Sequence, residues 1–322
     1  MMSRERLLWA YRTMQIIRQF EERLHVEFAA GTVPSSVHLY AGQEACAVGI
    51  CAHLAQDDFL HITHRAHGPA LARGADIVEV AKEIFLRADG LCQGKGGSPH
   101  LHDKRLKLIG ANGGVGSGAA LACGSALAAR HENTQGVAVS LLGEGACNQG
   151  VVLESLNLAS VWKLPVVFAF ENNGYAEATA ASYAIAGNDL AARGPAFHMP
   201  AQRVDGRDYF AVCDTVQEAL DRARAGDGPS LLEIKAPRFF GHYEGDAQKY
   251  RAPGEVEELR RDSDCITWFR RRVLDEQWLG PAELETIDSE TRELVHEAFR
   301  KAMSAPGPGP ETLHRDVYAG NL

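Results

Sequence analysis

The sequence predicts an α/β fold built on a mostly parallel sheet, with helices on both faces and a helical C-terminal extension. Two short apolar runs, Val137–Leu142 and Val166–Phe170, have the continuous hydrophobic character of strands that are buried on both faces. Between them, Gly150–Trp162 carries apolar side chains at helical spacing. A strand, a crossover helix and a second strand form a β-α-β unit, in which the two strands run parallel.

The elements before this unit are predicted from apolar spacing and composition. Residues 4–29 place apolar side chains every three or four positions, which indicates an amphipathic helix. An alanine-rich helix is expected to end near Leu54, and a short strand follows at Phe59–Thr63. Residues 90–118 are glycine-rich and form a long loop, which is usually functional in a compact domain, and a helix of small residues follows at Ala119–Ala129.

The elements after the unit continue the alternation of strands and helices. Residues 176–200 are polar and irregular, with a short helix near Leu190. The predicted elements beyond them are a strand at Ala201–Asp205, a helix at Tyr209–Ala225, a strand at Ser230–Ala236, and helices at Glu255–Gln277 and Pro281–Met303. We expect one domain over residues 1–322, with subunit contacts made by residues 1–30 and 255–322.

Composition excludes several classes of function. The formal net charge is −9 and there is no long basic run, so nucleic acid is not an expected partner. Seven cysteines occur without a Cys-x-x-Cys pair, which indicates reduced thiols and no disulfide framework. No apolar stretch approaches the roughly 18 residues of a membrane span. We therefore expect a cytoplasmic protein.

Polar residues follow both strands of the β-α-β unit. Gly143-Glu144-Gly145 follows the first strand, and Glu171-Asn172-Asn173-Gly174-Tyr175 ends the second. Because the carboxyl ends of parallel strands open on the same edge of a sheet, these two loops should face each other. A carboxylate, an amide oxygen and a backbone carbonyl are hard ligands that suit Mg²⁺. The helix that starts near Gln149 adds N–H groups for phosphates.

The spacing of Gly143-Glu144-Gly145 and Asn172-Asn173 resembles the thiamine diphosphate motif of the α subunits of E1 components of 2-oxo acid and acetoin dehydrogenase complexes. The resemblance implies a thiamine diphosphate-binding fold, with Mg²⁺ held by Glu144, Asn173 and the carbonyl of Tyr175. Gly145 and Ala146 would lie against the diphosphate. The family usually has Asp at position 144, and the extra methylene moves the carboxylate by about 1.5 Å in a shell that demands near-octahedral geometry.

Histidines between residues 38 and 67 allow more than one interpretation. His61, His64 and His67 could bind zinc, but the strand-to-loop context does not give them a common face. The alternative is an anion site, in which Arg65 offers a cationic fork and His64 and His67 offer further donors. The segment His64-Arg65-Ala66-His67-Gly68 resembles acetoin-type α subunits, whereas pyruvate-type subunits typically have Tyr at position 64. In the same family, His38 faces the active-site channel.

The residues Gly114–Ala119 match the dinucleotide fingerprint G-x-G-x-x-A, so a nicotinamide-dependent oxidoreductase is an alternative. The preceding stretch is charged and does not read as a buried strand, and no acidic residue lies about 20 positions further on. The resemblance to the E1 α family instead implies that the backbone of Gly113 and Val115 lies against the aminopyrimidine ring of the cofactor.

His242 follows the last predicted strand, which makes it a candidate acid or base at the functional edge of the sheet. By resemblance, it meets the cofactor diphosphate, and His38 and His242 relay protons or orient intermediates. The surrounding residues 241–255 look most like acetoin dehydrogenase α subunits.

The resemblance implies an E1 α subunit that forms an α₂β₂ assembly with a β subunit. The assembly would cleave acetoin or a related ketone and pass the product unit to a lipoyl-bearing E2 component. Two alternatives remain besides the nicotinamide enzyme. One is an E1 α subunit of a pyruvate or branched-chain 2-oxo acid dehydrogenase, and the other is a non-catalytic structural paralogue in which Glu144 has weakened metal binding.

Overall fold

The computed structural model describes residues 2–111 and 113–317. The strands within these residues are β1 (Phe59–His61), β2 (Leu108–Ile109), β3 (Ala138–Gly143), β4 (Val166–Asn172), β5 (Tyr175–Ala176), β6 (Thr179–Ala180), β7 (Ala201–Asp205) and β8 (Ser230–Lys235). In this part of the chain, six of them form a parallel sheet in the order β2-β1-β3-β4-β8-β7. β5 and β6 form a separate antiparallel hairpin.

Helices connect these strands and form the C-terminal region. They are α1 (Arg4–Ala29), α2 (Glu44–Cys51), α3 (His67–Arg73), α4 (Ile77–Ile84), α5 (Ser117–His131), α6 (Gly150–Val161), α7 (Ala181–Ala184), α8 (Tyr209–Arg224), α9 (Glu255–Asp262), α10 (Cys265–Asp275) and α11 (Pro281–Ser304). None of the helices in the described residues is long and apolar enough to cross a membrane.

The two faces of the sheet contribute to two hydrophobic cores, as strand β4 illustrates. Val167 and Ala169 join the larger core, which includes residues of α1, α2, α8, α10 and α11. Phe168 and Phe170 point to the other face and pack with residues of α5 and α6. This alternation follows from the two-residue period of a strand. The predicted parallel α/β sheet with helices on both faces and a helical C-terminal region is confirmed.

The β-α-β unit has the boundaries needed to bring its two loops together. β3, α6 and β4 occupy the positions expected from the apolar runs. β3 and β4 pair in parallel, with Gly143 opposite Glu171. Both strands therefore reach the same edge of the sheet at the same level, and the polar residues after them meet there.

Three predicted elements were wrong in part. The strand expected at Phe59–Thr63 ends at His61. The charged stretch before Gly114, expected to be irregular, contains β2, which pairs with β1 at the sheet edge. The helix expected at Glu255–Gln277 is two helices, because the side chain of Asp264 caps α10 by accepting a hydrogen bond from the amide of Ile266 at 3.0 Å.

One buried carboxylate organises the first part of the glycine-rich segment. The side chain of Glu83, on α4, is fully buried. It accepts hydrogen bonds from four backbone amides, those of Cys92, Gly94, Gly96 and Gly97, at 2.7 to 3.0 Å. Residues 92–97 therefore wrap around a side chain of the protein itself.

Candidate functional site

A cavity of about 370 Å³ opens at the carboxyl edge of the sheet, where β3 and β4 end. Its wall contains most of the residues that the sequence singled out, namely His64, Arg65, Val115, Glu144, Gly145, Ala146, Asn173, Tyr175 and His242. Gly113 is exposed and does not line the cavity. Asn112, its neighbour in the predicted motif, lies outside the described residues.

Glu144 is placed as a cation ligand would be. It follows β3, and its side chain is buried. One carboxylate oxygen, Oε2, accepts a hydrogen bond from the amide of Asn173 at 3.3 Å, while Oε1 is buried without a hydrogen-bond partner among the described residues. Burial raises the pKa of Glu144. A bound cation would satisfy the unpartnered oxygen and favour the ionised form, so this residue fits Mg²⁺.

The amide of Asn173 is held by its neighbours. Its Nδ2 donates to Oε1 of Gln43 at 3.2 Å, and its Oδ1 accepts from the amide of Tyr175 at 3.4 Å. Gly174 lies between them with φ +93°, a conformation that favours glycine. The turn therefore presents the Asn173 side chain and the Tyr175 backbone on the same side as Glu144.

The carbonyl of Tyr175 has a partner that the sequence analysis did not include. Arg238, which lies three residues after the end of β8 and is almost fully buried, donates to this oxygen from Nη1 at 3.3 Å. A carbonyl oxygen has two lone pairs, so one remains for a metal. The guanidinium nevertheless places a positive charge beside the predicted cation site, and it weakens cation binding there.

The glycine of the first loop is required by a close approach. A Cβ atom on Gly145 would lie 2.4 Å from the Cβ of Ala176 in the hairpin β5–β6. No side chain fits at this distance. Gly145 and Ala146 therefore present backbone close to the cavity, as expected for residues that lie against a diphosphate.

Three histidines from three separate loops pack against one another and are here called the histidine wall: His38, His64 and His242. His64 and His242 line the cavity, and His38 packs against both of them without lining it. Their ring centroids are 4.5, 5.2 and 5.3 Å apart. Burial, and after it the charge of Arg65, lower the pKa of His38 to about 3, of His64 to about 2 and of His242 to about 4. All three imidazoles are therefore neutral at pH 7.

Arg65 holds this wall together through backbone atoms. Its Nη1 donates to the carbonyl of Leu39, next to His38, and its Nη2 donates to the carbonyl of His242 at 3.0 Å. The sequence predicts that this guanidinium binds a phosphate. The structure places it at the cavity wall, with two of its nitrogens bound to the loops that carry His38 and His242.

The zinc site considered for His61, His64 and His67 does not form. His61 contacts Ser125 through Nε2 at 3.0 Å. His67 lies between Glu21 and Ser98, fully buried, and contacts the Glu21 carboxylate at 3.0 Å. The three side chains point to different partners because the segment runs from a strand through a loop into α3.

A second buried carboxyl lies beside Glu144, and the two are called the carboxyl wall: Glu144 and Glu171. Glu171 accepts a hydrogen bond from the phenol of Tyr40. Burial raises its pKa to about 7. Three residues of the site were not predicted from the sequence: Gln43, Glu171 and Arg238. A signal was available for two of them, because Glu171 lies near the end of an apolar strand and Arg238 follows one.

Gly114–Ala119, the candidate dinucleotide fingerprint, leads into α5. The strand before it, β2, has two residues and lies at the sheet edge, separated from β3 by β1. The two strands around α5 are therefore not neighbours, as a dinucleotide-binding β-α-β unit would require.

The fold and the cavity define a class of protein: an α/β protein with a ligand-sized cavity at the carboxyl ends of its parallel strands. Comparison with known proteins identifies the family. The model of the family "Dehydrogenase E1 component" matches residues 12–311. The chain therefore belongs to the dehydrogenase E1 component family, whose members are subunits of thiamine-dependent oxidoreductases, and this membership implies thiamine diphosphate as cofactor.

Relatives within this family match over nearly the whole chain. The α subunit of acetoin:2,6-dichlorophenolindophenol oxidoreductase from Cupriavidus necator is 50% identical over 317 residues, which cover 98% of this chain and 95% of the relative. The subunit of the same name from Bacillus subtilis is 46% identical with the same coverage. The α subunit of the pyruvate dehydrogenase E1 component from Rhizobium meliloti is 39% identical, over 98% of this chain and 90% of the relative. The resemblance to E1 α subunits is thus confirmed.

Proposed function

We propose that this chain is the α subunit of an acetoin dehydrogenase-type E1 component, which cleaves acetoin or a related ketone. The observation that carries the proposal is the identity to two α subunits named for acetoin, 50% and 46%, against 39% and 40% for bacterial pyruvate-type subunits.

Magnesium and thiamine diphosphate would be held at the loops after β3 and β4. Glu144, Asn173 and the carbonyl of Tyr175 supply oxygen ligands for Mg²⁺, and Gly145 and Ala146 supply backbone against the diphosphate. The buried, unpartnered oxygen of Glu144 supports this assignment. When bound, thiamine diphosphate supplies a stabilised carbanion.

Other residues of the chain would contact the cofactor and orient the substrate. His64, Arg65 and His242 line the cavity beside the expected diphosphate. Gly113 and Val115 belong to the segment that we assign to the aminopyrimidine ring. His38 and His242 are neutral, so each ring has one nitrogen that donates a hydrogen bond and one that accepts a hydrogen bond. Because rings with such low pKa values are weak bases at pH 7, this arrangement suits the orientation of a ketone oxygen by hydrogen bonds.

The active unit would be an α₂β₂ assembly with a β subunit, and a lipoyl-bearing E2 component would accept the product unit. Relatives that are α subunits support a β partner. We assign subunit contacts to residues 1–30 and 255–322 of a single domain. The exposed aromatic side chains of Trp9 and Trp268 in these regions support that assignment.

A calorimetric titration tests cofactor binding. Thiamine diphosphate with Mg²⁺ is titrated into this chain alone and into its complex with the co-expressed β subunit. We expect binding in the complex, its loss in Asn173→Ala, and its retention in Asn157→Ala, a matched change on the exposed face of α6. Absence of binding in the complex at millimolar Mg²⁺ would favour the non-catalytic paralogue. Retention of binding in Asn173→Ala would reject the metal assignment.

A second experiment tests the substrate. Reduction of 2,6-dichlorophenolindophenol by the α–β complex is measured with acetoin, pyruvate and a branched-chain 2-oxo acid. We expect the highest kcat/KM with acetoin. A higher value with pyruvate would favour the pyruvate-type alternative, which the 36–40% identities to such subunits keep open.

A further inference from the structure

The histidine wall has the composition of a transition-metal site. We propose that His38, His64 and His242 together bind one divalent transition metal of the zinc type, and that this metal excludes the cofactor. The proposal concerns a different set of histidines from the one that sequence spacing suggests. Its second half rests on the proposed function, because it assumes that the diphosphate lies against the same wall.

The geometry is close to that of a metal site. One ligand nitrogen from each of the three imidazoles lies within 4.8 Å of the others. Zinc binds histidine nitrogen at about 2.0–2.1 Å with tetrahedral angles, which places ligand nitrogens about 3.3 Å apart. Side-chain rotations that bring the nitrogens together by about 1.5 Å complete the set. Three protein ligands leave the fourth position for water or substrate.

The nitrogens are available for a metal. Nδ1 of His38 and Nε2 of His64 are buried and have no hydrogen-bond partner among the described residues. A buried polar atom without a partner is costly, so a ligand at this point gains stability by satisfying it. Because all three rings are neutral at pH 7, no proton has to leave before the metal binds.

Charges around the wall set the strength of the site. Arg65 and Arg238 act on His64 and His242 through their positive charges, and both oppose a dication. Asp246 acts in the opposite direction on His242, and its carboxylate accepts from the amide of that residue at 2.8 Å. We therefore expect a reversible site that is weaker than a closed structural zinc site.

Occupancy of the wall and of the cofactor site would be mutually exclusive. His64 and His242 line the same cavity as Glu144, Gly145 and Asn173. A metal on the imidazoles uses the ring nitrogens of His64 and His242 and fills the space between the rings, so the diphosphate loses these nitrogens as hydrogen-bond partners. Zinc would then hold the chain in a cofactor-free state until it is removed.

Cobalt is the probe for the site, because tetrahedral Co²⁺ with nitrogen ligands absorbs strongly in the visible range. Co²⁺ is titrated into the α–β complex after removal of metal and cofactor. We expect one tetrahedral Co²⁺ per α chain. His64→Phe should weaken binding at least about ten-fold, the lower end of what loss of a ligand's own hydrogen-bond partner costs. His131→Phe, at the exposed end of α5, should bind as the unaltered complex does.

The outcomes separate the two proposals. Equal Co²⁺ binding in His64→Phe, or a thiolate charge-transfer band from the cysteines, would overturn the histidine site. Thiamine diphosphate with Mg²⁺ should displace Co²⁺, and simultaneous binding of both would overturn the exclusion. If Co²⁺ binds through His64 while thiamine diphosphate binds to neither form, the metal site stands and the proposed function fails. Circular dichroism of each variant confirms that it is folded.

Discussion

The histidine wall, through His64 and His242, borders the same cavity as the carboxyl wall, and burial shifts the pKa values of the two walls in opposite directions. In the histidine wall it lowers the pKa of all three imidazoles. In the carboxyl wall it raises the pKa of Glu144 and Glu171. The physical cause is the same, because a low-dielectric environment disfavours whichever form is charged.

The positive charge of Arg65 affects the pKa values of both walls, but it adds to the effect of burial in one wall and opposes it in the other. Its positive charge adds to burial at the histidines and opposes burial at Glu171. A cation in the cavity that is not coordinated by the imidazoles would therefore lower the pKa of the three histidines further. The same cation would also lower the pKa of Glu144 and Glu171 and so favour their ionised forms. The carboxyl wall therefore suits positive charge, whereas the histidine wall suits neutral or anionic groups and, by our proposal, a coordinated metal.

The largest expected effect tests the charge of the carboxyl wall. Glu144→Gln keeps the side-chain size and removes the anion. Affinity of the α–β complex for thiamine diphosphate with Mg²⁺ should fall at least about 100-fold, because loss of even a hydrogen-bond partner of a metal ligand costs about 10–100-fold. Calorimetry measures the change, and Glu177→Gln at the exposed rim of the cavity is the control. An unchanged affinity would contradict the assignment of Glu144 to the metal.

Glu171→Gln tests the raised pKa of the same wall. In the folded chain Glu171 keeps its proton up to a pH of about 7, whereas in the unfolded chain it loses the proton near 4.5. Its contribution to stability is therefore present below pH 4.5 and is lost as the pH rises through 7, by about 3 kcal/mol at most. Urea unfolding of the unaltered chain and the variant at several pH values measures the difference. A difference that does not change between pH 5 and 8 would reject the shift.

The histidine wall should show the opposite trend, with a smaller magnitude. His242 has a pKa of about 4 in the folded chain and about 6.5 when unfolded. Stability of the unaltered chain relative to His242→Gln should therefore be fully present above pH 6.5 and fall as the pH drops to 4. We expect about 1–2 kcal/mol, because the ring is partly accessible to solvent. The same urea series detects the trend, and a rise toward acid pH would refute it.

The smallest expected effect distinguishes the role of the Tyr175 side chain from that of its backbone carbonyl. Tyr175→Phe removes the hydrogen bond from the phenol to Glu255, which is 3.2 Å long, and leaves the backbone in place. Stability should fall by about 1 kcal/mol or less. Cofactor affinity should remain within about two-fold, since only the carbonyl oxygen is proposed as a ligand. A large loss of affinity in calorimetry would show that the phenol matters.

The parts of the site that lie on the β-α-β unit could be predicted from the sequence. Glu144 and Asn173 follow neighbouring parallel strands, and strand pairing alone brings them to one edge. The hydrogen bond between the side chains of Asn173 and Gln43 could not be predicted. It joins residues 130 positions apart, and nothing in the local pattern of either segment indicates it.

The histidine wall illustrates the same limit. Spacing within residues 61–67 draws attention to three histidines that diverge in the structure, whereas His38, His64 and His242 meet because three loops end at the same edge. Likewise, the break between α9 and α10 depends on Asp264, which caps α10 and forms an ion pair with Arg18 at 3.0 Å. The spacing of apolar residues alone does not indicate this cap or this ion pair.

The carboxylate of Glu83, with its four amide hydrogen bonds, has a consequence for the thermodynamics of ligand binding. Loops that bind phosphates often present a similar concave row of amides, and they become ordered around an external anion. Here residues 92–97 surround an anion that belongs to the protein. The conformational entropy of this segment is therefore lost when the chain folds. Ala111 and Val115, in the later part of the same glycine-rich segment, line the cavity. A ligand that binds there does not have to order residues 92–97, so its affinity is not reduced by that ordering.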